Sequence, residues 1–209
     1  MNIFYLHNDP QTCAQMHNDK HCVKMILEYA QLLSTAHRLI DGTLVDSVSK
    51  TGRKAKRYVL PDSRESVIYT ATHSNHPSAV WVRQTDSNYC WLFSLFQALM
   101  AEYSYRYEKV HACSKLESHL STLPRTIRQG SFTEPTPAMP DEYKVEGDSI
   151  ASYRNYYLGS KYKMSRWTNQ VMPEWFANGI YTLYSDTCYI EDKPKLNRTI
   201  SMPFNHANL

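Results

Sequence analysis

Residues 17–40, HNDKHCVKMILEYAQLLSTAHRLI, decide the fold class of this chain. Cys22, Ile26, Tyr29, Leu33, Ala36 and Ile40 recur three or four positions apart, so the segment reads as a long amphipathic helix with one apolar face. A second line of the same helix carries His17, His21, Lys24 and Glu28, at offsets of four, seven and eleven. Two imidazoles, an amine and a carboxylate on one rigid rod suit proton transfer, metal ligation or imine formation. The plainer alternative is a solvated polar face.

Upstream, residues 2–6 (NIFYL) form a short extended entry. Asp9–Pro10 is a helix-start signal, so the first helix is expected to run from there through His17 to about Ile40. It stops at Asp41–Gly42. Residues 42–61 read as a polar, basic loop. Asp62 or Ser63 caps a second helix, SRESVIYTATH, which ends at Pro77. SNHPSAVWVR reads as a tight connector. Thr85 or Asp86 caps a third helix reaching about Lys109, with Leu92, Leu95, Phe96, Leu99, Met100 and Tyr103 facing the core. A short helix is expected over 114–123 and a Pro- and Thr-rich loop over 124–140. Another helix, DSIASYRNYYLGSKY, starts at Gly147 or Asp148. Beyond Gly179 the alternation IYTLYSDTCYI suggests a strand or hairpin arm. The expected architecture is mainly α: a compact bundle of about four to five helices with long loops. It forms one domain over 1–178, followed by an extended C-terminal tail over 179–209.

The chain has 209 residues, 42% of them hydrophobic, with 23 Lys and Arg against 20 Asp and Glu. That balance fits a soluble globule with a sizeable core. No run approaches ~20 apolar residues, so no membrane span is expected, and MNIFYLHNDP lacks the basic start and apolar run of a secretory signal. Cys13, Cys22, Cys90, Cys113 and Cys188 are scattered without zinc or redox spacing, which fits reduced thiols in a cytoplasmic protein.

Positive charge is concentrated in SKTGRKAKRY, where Arg53, Lys54, Lys56 and Arg57 follow Lys50 with no acid among them. Together with 16 tyrosines and 4 tryptophans, this suits a surface that neutralises phosphates and stacks bases. Two further clusters fit the same partner. THSNHP supplies His73 and His76, with Arg83 nearby, in a connector of the kind that carries binding residues. YRNYYLGSK places Arg154, Tyr157 and Lys161 on one helical face. His17 and His21, at i and i+4, could form half of a zinc or iron site that Asp19, His73 or His76 would complete, but HNDKH lacks the Glu of the HExxH motif. The chain contains no glycine-rich phosphate loop, GxSxG elbow or dinucleotide fingerprint, and no cofactor is expected.

The pieces DKHCVKMILEYAQLLSTAHR, HSNHPSAVWVR, NYCWLF, RYEKVHA, PTPAMP and YRNYYLGSK resemble a family of uncharacterised tailed-phage proteins along the whole chain. More distantly, MNIFYLH, the first helix, HPSAVWVRQ, NYCWLFSLFQALMAEYSYRY and the tyrosine-rich YRNYYLGSK are similar in order and pattern to pyrimidine-dimer DNA glycosylases of the phage endonuclease V type. That likeness spans about two-thirds of the chain. It implies a compact helical enzyme that bends duplex DNA and flips a nucleotide. Such an enzyme attacks the sugar with an N-terminal amine, assisted by a Glu on the first helix. That Glu aligns with Lys24, with Glu28 one turn later, and Asn2 stands where the phage enzyme has a small residue exposed by Met removal. The expectation is a monomeric DNA glycosylase, with or without abasic-site lyase activity, in the host cytoplasm. Lys24 or the Met1 α-amine is the nucleophile, Glu28 the acid/base, and His17 and His21 position phosphate or move protons. The alternatives are a metal-dependent hydrolase using His17 and His21, and a DNA-binding module without chemistry.

Overall fold

A computed structural model describes residues 1–48 and 51–184. The fold is mainly α, with eight α-helices and one two-stranded sheet among the described residues. The helices are more numerous than the four to five expected, because several are single turns wedged between longer rods. Asp9 caps α1 (Pro10–Met16) by accepting the Thr12 N–H, as the Asp–Pro signal predicts.

The first helix is not continuous. His17 leaves helical geometry at ψ 132° and Asn18 follows at ψ 165°. The Asn18 side chain then caps α2 (Asp19–Asp41) through the His21 N–H. Cys22, Met25, Ile26, Tyr29, Leu32, Leu33 and Ala36 bury the apolar face of α2. α2 ends where expected, at Gly42, which turns to extended geometry while its N–H still bonds the Arg38 carbonyl; a Cβ there would lie 2.4 Å from that oxygen, so the close approach needs glycine.

The basic segment after Gly42 is an antiparallel hairpin, not a loop. β1 (Thr43–Val48) pairs with β2 (Lys54–Val59), placing Thr43 opposite Val59 and Val48 opposite Lys54. Gly52 provides the left-handed turn residue at φ 79°. The second expected helix shrinks to one turn, α3 (Arg64–Val67). Arg38, buried within α2, takes the carbonyls of Glu65, Ile68 and Tyr69, which pulls the following residues out along α2. Thr72 continues this run by donating its N–H to the Thr35 hydroxyl.

His76 caps α4 (Pro77–Val82), a short helix inside the expected connector. Thr85 caps α5 (Asp86–Tyr107), whose Leu92, Leu95, Phe96 and Leu99 are fully buried. α5 packs on both α1 and α2. Each buried Leu or Phe there contributes roughly 1.5–3 kcal/mol, so this contact holds most of the core together. A 3₁₀ turn (Ala112–Leu116) and α6 (Glu117–Leu120) replace the expected short helix over 114–123.

Asp148 caps α7 (Ser149–Tyr156) as predicted. The chain then widens into a π turn, Tyr157–Lys161, and a 3₁₀ turn, Tyr162–Met164. α8 (Glu174–Tyr184) crosses Gly179, where an extended tail was expected to begin. The rest of the alternating IYTLYSDTCYI stretch lies outside the described residues. The four described cysteines are unbridged. Among the described residues no helix is long and apolar enough to cross a membrane.

Candidate active site

The predicted line of His17, His21, Lys24 and Glu28 divides in two, because the break at Asn18 removes His17 from the helix. His17 is fully buried at the end of α1. Its Nδ1–H donates to the Cys13 carbonyl at 2.7 Å and its Nε2 accepts from the Tyr29 hydroxyl at 2.9 Å. Tyr29 in turn accepts the Phe4 N–H. Burial pushes the His17 pKa down to about 4, so the ring is neutral and both nitrogens are engaged. In this arrangement neither ring nitrogen faces an open site.

His21 stacks on Phe4, with ring centroids 4.0 Å apart, and its Nδ1 lies 2.6 Å from the Tyr157 hydroxyl. Burial, with His17, Lys161 and Lys24 nearby, depresses its pKa to about 2. Both imidazoles tie the N-terminal segment to α2 and the π turn. Among the described residues no group of three His, Cys, Asp or Glu is arranged to hold a metal ion.

Glu28 lies at the other end of the line, with a half-buried carboxylate. Its Oε2 is 4.0 Å from the Met1 α-amine and accepts the Asn2 N–H at 3.2 Å. Its Oε1 pairs with Lys24 Nζ at 3.1 Å. The Lys24 side chain is 69% exposed, the setting of a surface ion pair. The Met1 side chain, by contrast, is 4% exposed, so the start of the chain is fixed in place.

Asn2 supplies much of that fixation. Its Nδ2 donates to the Ala138 carbonyl at 2.8 Å, and its Oδ1 accepts from the Tyr153 hydroxyl at 2.6 Å and from the Ile3 N–H. The proline-rich 135–140 stretch, within the loop expected over 124–140, therefore buttresses Asn2.

His76 completes the cluster from the connector. Its Nδ1 accepts the Ser78 N–H at 3.2 Å, which leaves the proton of the neutral ring on Nε2. Burial lowers its pKa first, and the Met1 amine and His73 lower it further, while Glu28 opposes them. Exposed His73 sits in the left-handed region at φ 48°, which a β-carbon disfavours, and its carbonyl accepts the His76 N–H at 2.9 Å. Arg83 donates to the carbonyls of Ser74 and Ala79, so it staples the connector.

The expected Arg154, Tyr157 and Lys161 face does not form, because α7 ends before Tyr157. Arg154 donates to the Leu6 carbonyl and lies over the Trp175 ring, at one wall of an open groove of about 570 Å³. Tyr157 is fully buried against His21, and Lys161 covers the Tyr156 ring at 4.4 Å. None of the three forms a basic stripe. Arg53, Lys54, Lys56 and Arg57 are exposed on the hairpin, with Arg57 paired to Glu65.

Sequence reasoning missed the roles of Asn2 and Ala138, and saw Tyr153 only as one ring of the tyrosine-rich YRNYYLGSK; the one signal for Asn2 was a polar residue in the otherwise apolar NIFYL entry. No family model, curated protein or solved structure matches this chain.

Proposed function

We propose that this protein is a DNA glycosylase with abasic-site lyase activity, working through an imine on the Met1 α-amine. The observation that carries the reading is the carboxylate of Glu28 on the first long helix, 4.0 Å from that amine. The resemblance to pyrimidine-dimer glycosylases implies the same pair of groups, and Glu28, not Lys24, is the residue in place to serve. α-Amines as a class titrate about 2.5 units below lysine ammoniums, so they present more free base near neutrality. Lys24 is left the role of an ion-pair partner that orients the Glu28 carboxylate.

In this scheme the amine nitrogen attacks C1′ of the damaged nucleotide. The N-glycosidic bond breaks, and its electron pair leaves with the base, which takes up a proton. The C1′–O4′ bond then breaks and the sugar opens to an imine, the two protons shed by the nitrogen balancing those taken up by the base and by O4′. Glu28 then removes a C2′ proton, and the C3′–O bond breaks to expel the 3′ phosphate. His76, with its proton on Nε2, is assigned the donation to a sugar or phosphate oxygen. The substrate is a damaged or modified base in duplex DNA, and the protein acts as a monomer in the host cytoplasm.

Borohydride reduction on an abasic oligonucleotide, followed by peptide mapping, tests the reading. The expected adduct lies on the α-amine of the Met1 peptide, and intact mass measured in parallel establishes that this amine is free. An adduct on Lys24, or none, overturns the assignment. Glu28→Gln is expected to keep DNA affinity while slowing strand cleavage by about 10²-fold or more.

A further inference from the structure

The hairpin of β1 and β2 holds a disproportionate share of the molecule's charge. Residues 43–59 contain Lys50, Arg53, Lys54, Lys56 and Arg57 against the single acid Asp46. The whole chain carries a net charge of only +3, so the remainder is slightly acidic and the positive field is concentrated in this arm. A lone two-stranded hairpin is marginal by itself. This one is clamped at its base, where Arg38 donates to the Tyr58 carbonyl and Glu65 accepts the Leu60 N–H.

The pairing register sorts its side chains. Leu44, Asp46 and Val48 share a face with Tyr58, Lys56 and Lys54, their cross-strand partners. On that face Leu44 is 47% and Val48 66% exposed, and Lys54 and Lys56 are exposed too. Among the described residues neither lysine enters an ion pair, whereas Arg57, on the opposite face, is held by Glu65. Exposed apolar side chains on a ribbon edge invite aggregation unless charge or a partner covers them. Here lysines two residues apart, roughly 7 Å along the strand, flank them.

We propose that this hairpin is a ribbon that docks in a groove of duplex nucleic acid, with Lys54 and Lys56 on backbone phosphates and Leu44 and Val48 against the sugars. A two-stranded β-ribbon has the width a major groove admits. The assignment rests on the reading of DNA as substrate, and it makes the hairpin, not the Arg154 helix, the grip on the polymer. Asp46 is a built-in brake on that face.

Anisotropy titrations of an undamaged labelled duplex against salt test it. Each phosphate neutralised adds a slope of roughly −0.9 in log affinity against log salt. Lys54→Gln/Lys56→Gln is expected to flatten the slope by about 2, and Asp46→Asn to tighten binding. Leu44→Ser/Val48→Ser is expected to weaken binding roughly 10-fold with the slope unchanged. A slope unchanged in the lysine variant overturns the proposal, as does equal affinity for the single strand of the same sequence. Borohydride trapping on a short single-stranded abasic oligonucleotide, which offers the hairpin no duplex groove, separates the two readings. An unchanged slope with trapping intact rejects the ribbon alone. Absent trapping with a lysine-dependent slope rejects only the imine chemistry.

Discussion

The histidines of the first helix show how burial reassigns a residue. His17 and His21 read as chemistry-bearing because two imidazoles lay one turn apart on a polar line. The partners that retire them, Tyr29 and Tyr157, are 12 and 136 residues away, and no local pattern announces the second. The break that separates them was more legible, since Asn18 before DKH is a good N-cap residue. Their burial has a thermodynamic consequence. Burial lowers the pKa of His37 on α2 in the same way, its Nε2 lying 2.7 Å from the Tyr89 hydroxyl: the folded-state pKa of His17 is about 4, of His21 about 2 and of His37 about 4, against 6.5 unfolded. The unfolded chain therefore binds protons between these values that the folded chain refuses. The stability these neutral rings contribute is complete above about pH 6.5 and is lost as pH falls toward 4. Each ring contributes a slope of about 1.4 kcal/mol per pH unit across that window, which begins above the carboxylate range. Urea denaturation at about pH 7, 6 and 5 is expected to show this decline, and His17→Gln to remove one proton's share of it. A wild-type midpoint flat over that range would mean the rings are not neutral because of folding.

At the scale of elements, periodicity was a good guide wherever one face was buried. α2, α5 and the start of α7 sit where the pattern and the caps Thr85 and Asp148 put them. It misread the hairpin because neither of its faces is a continuous apolar stripe: LVDSV and KAKRYV mix charges into both faces. It also lengthened α3, because nothing local says that Arg38 will take three carbonyls from the following residues. Arg38 is 1% exposed and joins the hairpin base, α3 and the extended run to α2. Arg38→Ala leaves the carbonyls of Tyr58, Glu65, Ile68 and Tyr69 without this donor, while the Glu65 carboxylate keeps Arg57 and the Leu60 N–H. The expected loss is about 3–5 kcal/mol, read from a denaturation midpoint. Hydrogen exchange is expected to quicken first in 54–60 and 64–72, while α2 and α5 keep their protection. Uniform acceleration would show that Arg38 is not a local clamp.

Across the whole molecule, the candidate site exists only because three distant segments converge on the first two residues. Glu28 comes from α2, Ala138 from the proline-rich loop and Tyr153 from α7. The sequence made Glu28 and His76 visible as residue types in suggestive settings. It could not show that the fold threads Asn2 between Glu28 and Tyr153, since that depends on where the 135–140 stretch packs. The arrangement makes position itself the testable quantity. One glycine added before Met1 shifts the α-amine by up to about 3.6 Å, comparable with the whole distance to Glu28, while every core contact stays available. The expected outcome is an unchanged melting temperature and loss of the borohydride-trapped adduct. Tyr153→Phe is a milder displacement. It deletes the hydroxyl that donates to Asn2 Oδ1 at 2.6 Å and keeps the ring packing against Phe4. A buried hydrogen bond of this kind contributes about 1 kcal/mol, so the trapping rate is expected to fall roughly 5-fold with DNA affinity held. If the extended chain traps as well as the original, the amine does not act from the place where Asn2 holds it, and the nucleophile must be sought elsewhere.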